Sequence, residues 1–219
     1  MNIIIMGPLG SGKGTQAKII SKKYSIAHVS TGDMMRSHIQ NKTPIGIQIK
    51  SILDSGGYVN DDVTIEMLKN RLQNLKNESI YNSENIKTSV KGYILDGFPR
   101  TLNQAIALES FSKTERVIFL NLSDSDIIRR LSGRLTCISC GQMYHKENNP
   151  PQIAEVCDKC GSKVSQRKDD KLEVIENRLK IFREQTIPII GYYKERNILK
   201  EVAGKGDIYD VNVAICELL

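Results

Sequence analysis

The chain is poor in residues that several common functions require. It has no tryptophan, and aromatic residues make up only 5% of its 219 residues. That leaves little material for the stacking platforms that hold single-stranded nucleic acid. The sequence has no apolar run long enough to cross a bilayer. Met1 leads directly into strand-like residues, so we expect no cleaved leader peptide and a cytoplasmic protein.

Positive charge is in excess but is not concentrated in any one segment. The net charge is +6, from 31 basic and 25 acidic residues. A basic balance fits either nucleic acid or a small polyanionic ligand. The arginines of interest stand singly along the chain, which favours the small ligand: Arg36, Arg100, Arg130, Arg134, Arg167 and Arg178.

A glycine-rich segment, Gly7 to Thr15, follows the apolar run Asn2 to Met6. Its spacing from Gly7 to Lys13 matches the phosphate-binding loop GxxxxGK, between a strand and a helix. Glycines let backbone N–H groups converge on an anion, and the helix start adds its positive dipole end. Position 14 is Gly, where many such loops carry the Ser or Thr that contacts magnesium.

Four of the five cysteines form two C-x-x-C pairs. Disulfides are not expected in a reducing cytosol. Two such pairs at this interval predict a tetrahedral structural zinc site with the ligands Cys137, Cys140, Cys157 and Cys160. The fifth, Cys216, stands among apolar residues, and we expect a buried structural thiol.

Apolar strand segments alternate with helical patterns, which predicts an α/β fold with a parallel sheet covered by helices on both faces. The polar stretch 76–91 is expected to be a surface loop or insertion, and Pro188 is expected to kink or break a long helix from Lys171. We expect a C-terminal helix from about Asn212. The predicted strands are 2–6, 26–29, 93–96, 117–120 and short pieces near Val202 and Ile208.

Asp96 ends one of these apolar strands and precedes Gly97-Phe98-Pro99-Arg100. An acid at the end of a strand beside a phosphate-binding loop is where such proteins place their magnesium partner. The alternative is that Asp96 only caps a turn. Arg100 follows a proline, and its guanidinium can bind two phosphate oxygens at once.

A series of motifs runs along the chain up to about Asp207: the loop 7–15, Ser30-Thr31-Gly32-Asp33 with Arg36, Gly57-Tyr58-Val59, Asp96 to Arg100 with Gln104, Arg130-x-x-Gly-Arg134, the four cysteines, Arg167 to Asp170, and Arg178. In their order and spacing these motifs resemble the long form of the adenylate kinase family, with a zinc-bearing lid.

The resemblance implies the magnesium-dependent reaction ATP + AMP ⇌ 2 ADP in a P-loop three-layer fold. It implies a core domain of residues 1–29, 60–132 and 172–219. A helical insert at 30–59 would bind AMP, and an insert at 133–171 would form a lid whose zinc is structural only. A monomer that binds no nucleic acid or membrane is expected.

The resemblance also assigns roles to individual residues. Phosphoryl transfer would rest on Lys13, Arg100, Arg130, Arg134, Arg167 and Arg178, with magnesium oriented by Asp96 and by Asp169 or Asp170. ATP would be held by Gly10, Ser11, Gly12, Lys13, Gly14, Thr15, Arg134, Met143, Tyr144 and Gly206. AMP would be held by Thr31, Arg36, Gly57, Tyr58, Val59, Gly97, Phe98, Pro99, Arg100, Gln104, Arg167 and Arg178.

Two alternatives remain at the level of sequence. One is another nucleoside monophosphate kinase, acting on UMP or CMP or using GTP as the donor. The other is a zinc-ribbon nucleic-acid binder, which the basic charge and the cysteines alone support. Scattered arginines and few aromatics argue against the second.

Overall fold

The computed structural model describes residues 1–219 except for the side chain of Lys76. Its centre is a sheet of five parallel strands: β1 (Asn2–Met6), β2 (Ala27–Ser30), β5 (Tyr93–Asp96), β6 (Arg116–Asn121) and β10 (Leu199–Ala203). Their order across the sheet is β10-β6-β1-β5-β2. The parallel sheet predicted from the alternating pattern is confirmed, and β1 lies at its middle.

The central strand β1 is buried on both faces. Ile3 and Ile5 pack into one apolar cluster, and Ile4 and Met6 into another on the opposite face. A strand covered on both sides reads as a continuous apolar run, which is why residues 2–6 do not alternate with polar ones. The loop after β1 is therefore attached to the buried central strand of the sheet.

Nine helices are described, and most start where the sequence offers a capping side chain. Ser30, Thr43, Thr101 and Ser123 each accept a hydrogen bond from a backbone N–H of the helix that follows. The helices are α1 (Lys13–Tyr24), α2 (Thr31–Gln40), α3 (Pro44–Asp54), α4 (Asp61–Asn74), α5 (Leu102–Phe111), α6 (Asp124–Ser132), α7 (Leu172–Ile181), α8 (Ile187–Glu195) and α9 (Ile208–Cys216).

Two small antiparallel sheets lie outside the central one. The first is a hairpin of β3 (Ser79–Tyr81) and β4 (Lys87–Ser89). The prediction of a loop over residues 76–91 was therefore wrong at these strands, which are too short and polar to show a periodic pattern. The second sheet joins β7 (Arg134–Cys137), β8 (Met143–His145) and β9 (Val164–Ser165) in the order β8-β7-β9.

The C-terminal region differs from prediction at Ile208, whereas the expected break of the long helix near Pro188 is present. Ile208 starts α9 instead of a strand, because Asp207 caps that helix by accepting from the N–H of Tyr209 at 2.7 Å. The long helix is interrupted by a π-helical segment, Phe182–Thr186, before Pro188. Pro188 itself lies in the first turn of α8, where a proline is tolerated.

Within the described residues, no helix combines the length and the apolar character that crossing a membrane requires. The segment 30–59 contains α2 and α3, and the segment 133–171 contains the sheet β8-β7-β9. The division into a core and two inserts stays a prediction.

Candidate active site

The loop Gly7–Thr15 joins the end of β1 to the start of α1 and holds a tight backbone path. At Gly7, whose φ is 143°, an added Cβ would lie 2.5 Å from the carbonyl oxygen of Leu120. Gly12 is the N-cap of α1, has a φ of 96° and offers no side chain to the first N–H groups of the helix. The Thr15 N–H donates to the carbonyl oxygen of Gly12 at 3.0 Å. The N–H groups before it are available to another acceptor, and an anion suits both their geometry and the helix dipole.

Lys13 lies against its own loop. Its Nζ donates to the carbonyl oxygens of Gly7 at 2.7 Å and Pro8 at 2.5 Å. Burial lowers the pKa of the Lys13 ammonium to about 7; Asp96 opposes this shift, while Arg100 and other nearby arginines add to it. A bound polyphosphate beside Nζ would favour the charged form.

Asp96 ends β5, which lies next to β1 in the sheet. His28 Nε2 lies 3.4 Å from Asp96 Oδ2. Burial alone would raise the pKa of Asp96, but the His28 hydrogen bond and the charge of Lys13 outweigh it, and the pKa is lower than usual. The carboxylate is therefore ionised at neutral pH, as a partner of magnesium must be.

Gly14 explains how this loop departs from the more common pattern. A Cβ at Gly14 would lie 3.2 Å from Asp96 Oδ2 and 3.6 Å from Cε of Met143. A serine or threonine there would require the Asp96 carboxylate to shift by a few tenths of an ångström. The glycine keeps open a cradle between the loop and Asp96, and a magnesium ion held partly through its waters fits such a space.

The scattered arginines converge on one cavity of about 550 Å³ beside the loop. Lys13 and Asp96 line it, as do all six arginines singled out in the sequence: Arg36, Arg100, Arg130, Arg134, Arg167 and Arg178. Burial, together with the charges of Arg36 and Arg134, lowers the pKa of Arg167 to about 9. Positive charges this close repel one another, and binding of a highly charged anion reduces that repulsion.

Several of these arginines form ion pairs with aspartates, which fix the orientation of the guanidinium groups. Arg134 Nε donates to Asp170 Oδ2 at 2.7 Å, and the Asp170 side chain is fully buried. Arg178 pairs with Asp169 at 2.5 Å, and Arg36 pairs with Asp33. Asp169 and Asp170 are thus engaged with arginines, and the magnesium contact expected of one of them stays a prediction.

A second group of predicted residues lies where β5 ends. Thr31 Oγ1 and Arg100 Nε both donate to the carbonyl oxygen of Gly97, at 2.9 and 2.8 Å. The Arg100 N–H donates to Gln104 Oε1 at 2.8 Å. The Arg100 guanidinium lies over the ring of Tyr58, 5.0 Å from its centre.

Some of these residues line a cavity, and the others do not. Tyr58, Gly97, Phe98, Pro99 and Arg100 line a small cavity of about 60 Å³ that also touches Lys13 and Arg178. Thr31, Gly57, Val59 and Gln104 are not among the residues that line either cavity. Thr31 and Gln104 are almost fully buried, and Val59 packs with apolar residues of α2 and α3.

Sequence reasoning missed two residues that hold this group in place. Thr186, at the end of the π-helical segment, donates to the carbonyl oxygen of Arg100 at 2.9 Å and lies 3.0 Å from the hydroxyl of Tyr58. Asp61 accepts from Thr101 Oγ1 and from Gln104 Nε2, both at 2.7 Å. A threonine two residues before a proline was the available signal for the first, since a helix interrupted there can form a π-helical turn, and such turns occur often at functional sites.

The predicted ATP-adenine residues Met143, Tyr144 and Gly206 all line the larger cavity. Tyr144 also belongs to the cysteine region, because its hydroxyl accepts from the Asp158 N–H at 2.8 Å and lies 3.4 Å from Cys157 Sγ. Arg130 donates to the carbonyl oxygen of Gly204 at 2.9 Å. It therefore links α6 to the loop that carries Gly206.

The four paired cysteines come together, with every pair of Sγ atoms within 4.8 Å. Two of these Sγ–Sγ distances are 3.5 and 3.6 Å. Tetrahedral Zn–S bonds of about 2.3 Å place sulfurs about 3.8 Å apart, so the cluster fits a structural zinc site. Cys216 lies elsewhere and is half-buried, where a buried thiol was expected.

A phosphate-binding loop, an acid on the adjacent strand and several convergent arginines define a phosphotransferase of the P-loop class that acts on nucleotides. A sequence model described as adenylate kinase matches residues 5–198. Over its full length the chain is 46% identical to the adenylate kinase of Clostridium beijerinckii, covering 98% of that protein. It is 44% identical to that of Clostridium tetani, over 96% of this chain and 95% of the relative.

The chain therefore belongs to the adenylate kinase family. Its activity is phosphoryl transfer from ATP to AMP with magnesium, as the resemblance implied. Neither alternative, a kinase for another nucleotide pair or a zinc-ribbon nucleic-acid binder, is favoured by these matches.

Proposed function

We propose that the loop Gly7–Thr15 is the ATP half, and the end of β5 the AMP half, of a single two-nucleotide site. The observation that carries this proposal is the convergence of one lysine, one aspartate and six arginines on one cavity. Two nucleotides bring many negative charges face to face, and a single lysine cannot balance them. Arginines drawn from separate elements meet that demand.

On the ATP side, the backbone of Gly10–Thr15 wraps the phosphates and Lys13 neutralises charge on the transferred group. Arg130 and Arg134 face the same phosphates, and the adenine lies near Met143, Tyr144 and Gly206. Asp96 orients the magnesium ion, which supplies charge neutralisation between the phosphates when bound. The open cradle at Gly14 supports this placement.

On the AMP side, Arg36 and Arg100 hold the phosphate, and Thr31 and Gln104 hold the nucleoside. The backbone of Gly57–Val59 and of Gly97–Pro99 completes this half. The stacking of Arg100 on Tyr58 and the hydrogen bond from Arg100 Nε to the carbonyl oxygen of Gly97 support it, because both restrict the guanidinium. A restricted arginine loses less entropy when it binds.

Between the halves, Arg134, Arg167 and Arg178 surround the phosphoryl group in flight. Phosphoryl transfer asks the protein for in-line positioning and charge stabilisation, with little covalent chemistry. The ion pairs to Asp170 and Asp169 hold Arg134 and Arg178 in the cavity wall and support this role.

Water competes with AMP as the acceptor, so the site must close during transfer. We assign closure to the segments 30–59 and 133–171, the second folded around zinc that takes no part in the chemistry. We also propose that the protein is a cytoplasmic monomer; size-exclusion chromatography with light scattering tests the oligomeric state.

The test is a coupled assay of ADP formation with ATP, AMP and magnesium for Lys13→Met. We expect kcat to fall by roughly 1,000-fold, since losing one preorganised charge contact costs about that much. The matched control is Lys22→Met, an exposed lysine on the same helix, which should keep wild-type kcat. Circular dichroism checks that both variants fold, and a folded Lys13→Met variant with wild-type turnover would refute the assignment.

A further inference from the structure

Asp61, at the start of α4, holds the side-chain amide of Gln104 from one side. Asp61 Oδ1 accepts from Gln104 Nε2 at 2.7 Å, and Asp61 Oδ2 accepts from Thr101 Oγ1 at 2.7 Å. Thr101 is the N-cap of α5 and accepts from the Gln104 N–H at 3.2 Å, so its own proton is free to point at Asp61. Residue 104 is thus tied to residue 61 directly and through residue 101.

The other side of the same amide is held by the backbone. The N–H of Arg100 donates to Gln104 Oε1 at 2.8 Å. An ionised carboxylate only accepts, and a backbone N–H only donates. The amide therefore has one permitted orientation, with nitrogen towards Asp61 and oxygen towards Arg100. A flipped amide would set donor against donor at Arg100 and acceptor against acceptor at Asp61.

This orientation leaves Gln104 with a defined remaining capacity. One amide N–H and one lone pair of the amide oxygen are still available, in fixed positions. The Watson–Crick edge of adenine offers the complement, a ring-nitrogen acceptor at N1 and an amino donor at N6. The edge of hypoxanthine reverses both, with a donor at N1 and an acceptor at O6.

We propose that Asp61 is a specificity-determining positioning residue, which selects AMP over 6-oxopurine monophosphates by fixing the orientation of the Gln104 amide. The inference rests on the proposed contact of Gln104 with the AMP base. Asp61 itself touches no substrate. It acts by making one of two amide orientations unavailable, because a buried donor without a partner is costly.

Asp61→Asn is the sharpest variant, since it exchanges one acceptor for a donor at nearly constant volume. The asparagine oxygen can still accept from Thr101, which turns the new NH2 group towards Gln104. That group can pair with the amide oxygen of Gln104 but not with Nε2, so the contact at residue 61 now favours the flipped orientation while the Arg100 N–H still favours the original one. The flipped orientation is then no longer opposed at both contacts. The flipped amide pairs with IMP instead of AMP.

The experiment measures kcat/KM for AMP and for IMP with ATP as donor, in wild type, Asp61→Asn and the control Asp62→Asn. Asp62 is the exposed neighbour on the same helix and undergoes the same change of charge. We expect the IMP-to-AMP ratio of kcat/KM to rise about tenfold or more in Asp61→Asn, since paired hydrogen bonds to a base edge discriminate by roughly 5- to 150-fold. The ratio should stay within about twofold in Asp62→Asn.

Purely structural damage lowers kcat/KM for both substrates together and leaves their ratio unchanged. An unchanged ratio in a folded Asp61→Asn variant would overturn the inference, as would equal use of AMP and IMP by the wild type. If Asp61→Asn does not fold, Asp61→Ala removes the acceptor without adding a donor. It should shift the ratio the same way, by about threefold.

Gln104→Ala separates this inference from the proposed function beneath it. If Gln104→Ala changes the ratio and Asp61→Asn does not, only the orienting role of Asp61 fails. If Gln104→Ala leaves both KM for AMP and the ratio unchanged, the proposed base contact fails, and the inference fails with it.

Discussion

The segments 30–59 and 133–171, both proposed to cover the site, are stabilised in different ways. The first buries Met35, Ile49 and Val59 against Met67 of α4, so its small core continues into the main fold. In the second, the buried cluster is Cys137, Tyr144, Cys157 and Val164, and two of these four are predicted metal ligands. Apolar packing stabilises the segment 30–59, whereas the cysteine cluster is the main buried feature of the segment 133–171.

The difference follows from the elements available to each segment. Helices α2 and α3 pack on each other over about three turns each and present apolar residues at helical spacing. The strands β7, β8 and β9 have four, three and two residues. A sheet this small cannot bury enough apolar surface to pay for ordering its own chain, and a metal supplies the missing stability.

The largest effect we expect comes from breaking the cysteine cluster with Cys137→Ser. Structural zinc contributes about 10–16 kcal/mol of apparent binding energy in small modules, so the segment 133–171 should unfold while the rest stays folded. Hydrogen exchange measures this: amides of Leu135–Cys137 lose protection, and those of α3 keep it. Turnover should fall because Arg134 lies at the edge of the unfolded segment.

Cys216→Ser is the matched control for that experiment, because it makes the same atomic change outside the cluster. It should leave both exchange patterns as in the wild type. Persistent protection of β7 in Cys137→Ser, or equal loss in α3, would contradict the contrast between the two segments.

The reciprocal test is Ile49→Ala in α3, where the side chain is 4% exposed. Truncating a buried isoleucine costs about 2–5 kcal/mol, and here the loss should raise KM for AMP and destabilise the segment 30–59. Zinc content, measured by metal analysis, should not change. The control Ile47→Ala lies on the same helix at 67% exposure and should behave as the wild type.

Equal sensitivity of Ile49→Ala and Ile47→Ala would show that packing does not hold this segment. Zinc loss in Ile49→Ala would show that the two segments are coupled and not stabilised independently.

The parts of the site that sequence predicted best are those set by contiguous motifs. The loop Gly7–Thr15 and Asp96 each end a buried strand, and neighbouring parallel strands bring such ends together. The two C-x-x-C pairs carry their ligand geometry in their spacing. The six scattered arginines, to which the family resemblance assigned roles in binding and transfer, line one cavity, and their roles stay predictions.

The parts that sequence could not predict depend on pairings between distant positions. Gln104 meets Asp61 across 43 positions, and Thr186 meets Arg100 across 86. Nothing in the local pattern marks Asp61 as more than an acid in the first turn of a helix, where acids are common. The hairpin 79–89 was missed for another reason, because strands of three residues have too few alternations to detect.

The smallest expected effect separates the two halves of the site by their response to pH. The pKa of Lys13 is about 7, and a polyphosphate beside Nζ raises it, so ATP binding takes up a proton above pH 7. The Lys13 contribution to ATP affinity is then complete below about pH 7 and is lost as pH rises, by up to about tenfold per pH unit.

Isothermal titration at pH 6 and pH 8, in buffers of different ionisation enthalpy, measures both the affinity and the proton uptake. AMP binding, which the proposal assigns to arginines and not to Lys13, should show a weaker dependence, and Lys13→Met should remove the dependence for ATP. Equal slopes for ATP and AMP, or an unchanged slope in Lys13→Met, would mean that another group carries the linkage and that Lys13 does not mark the ATP half.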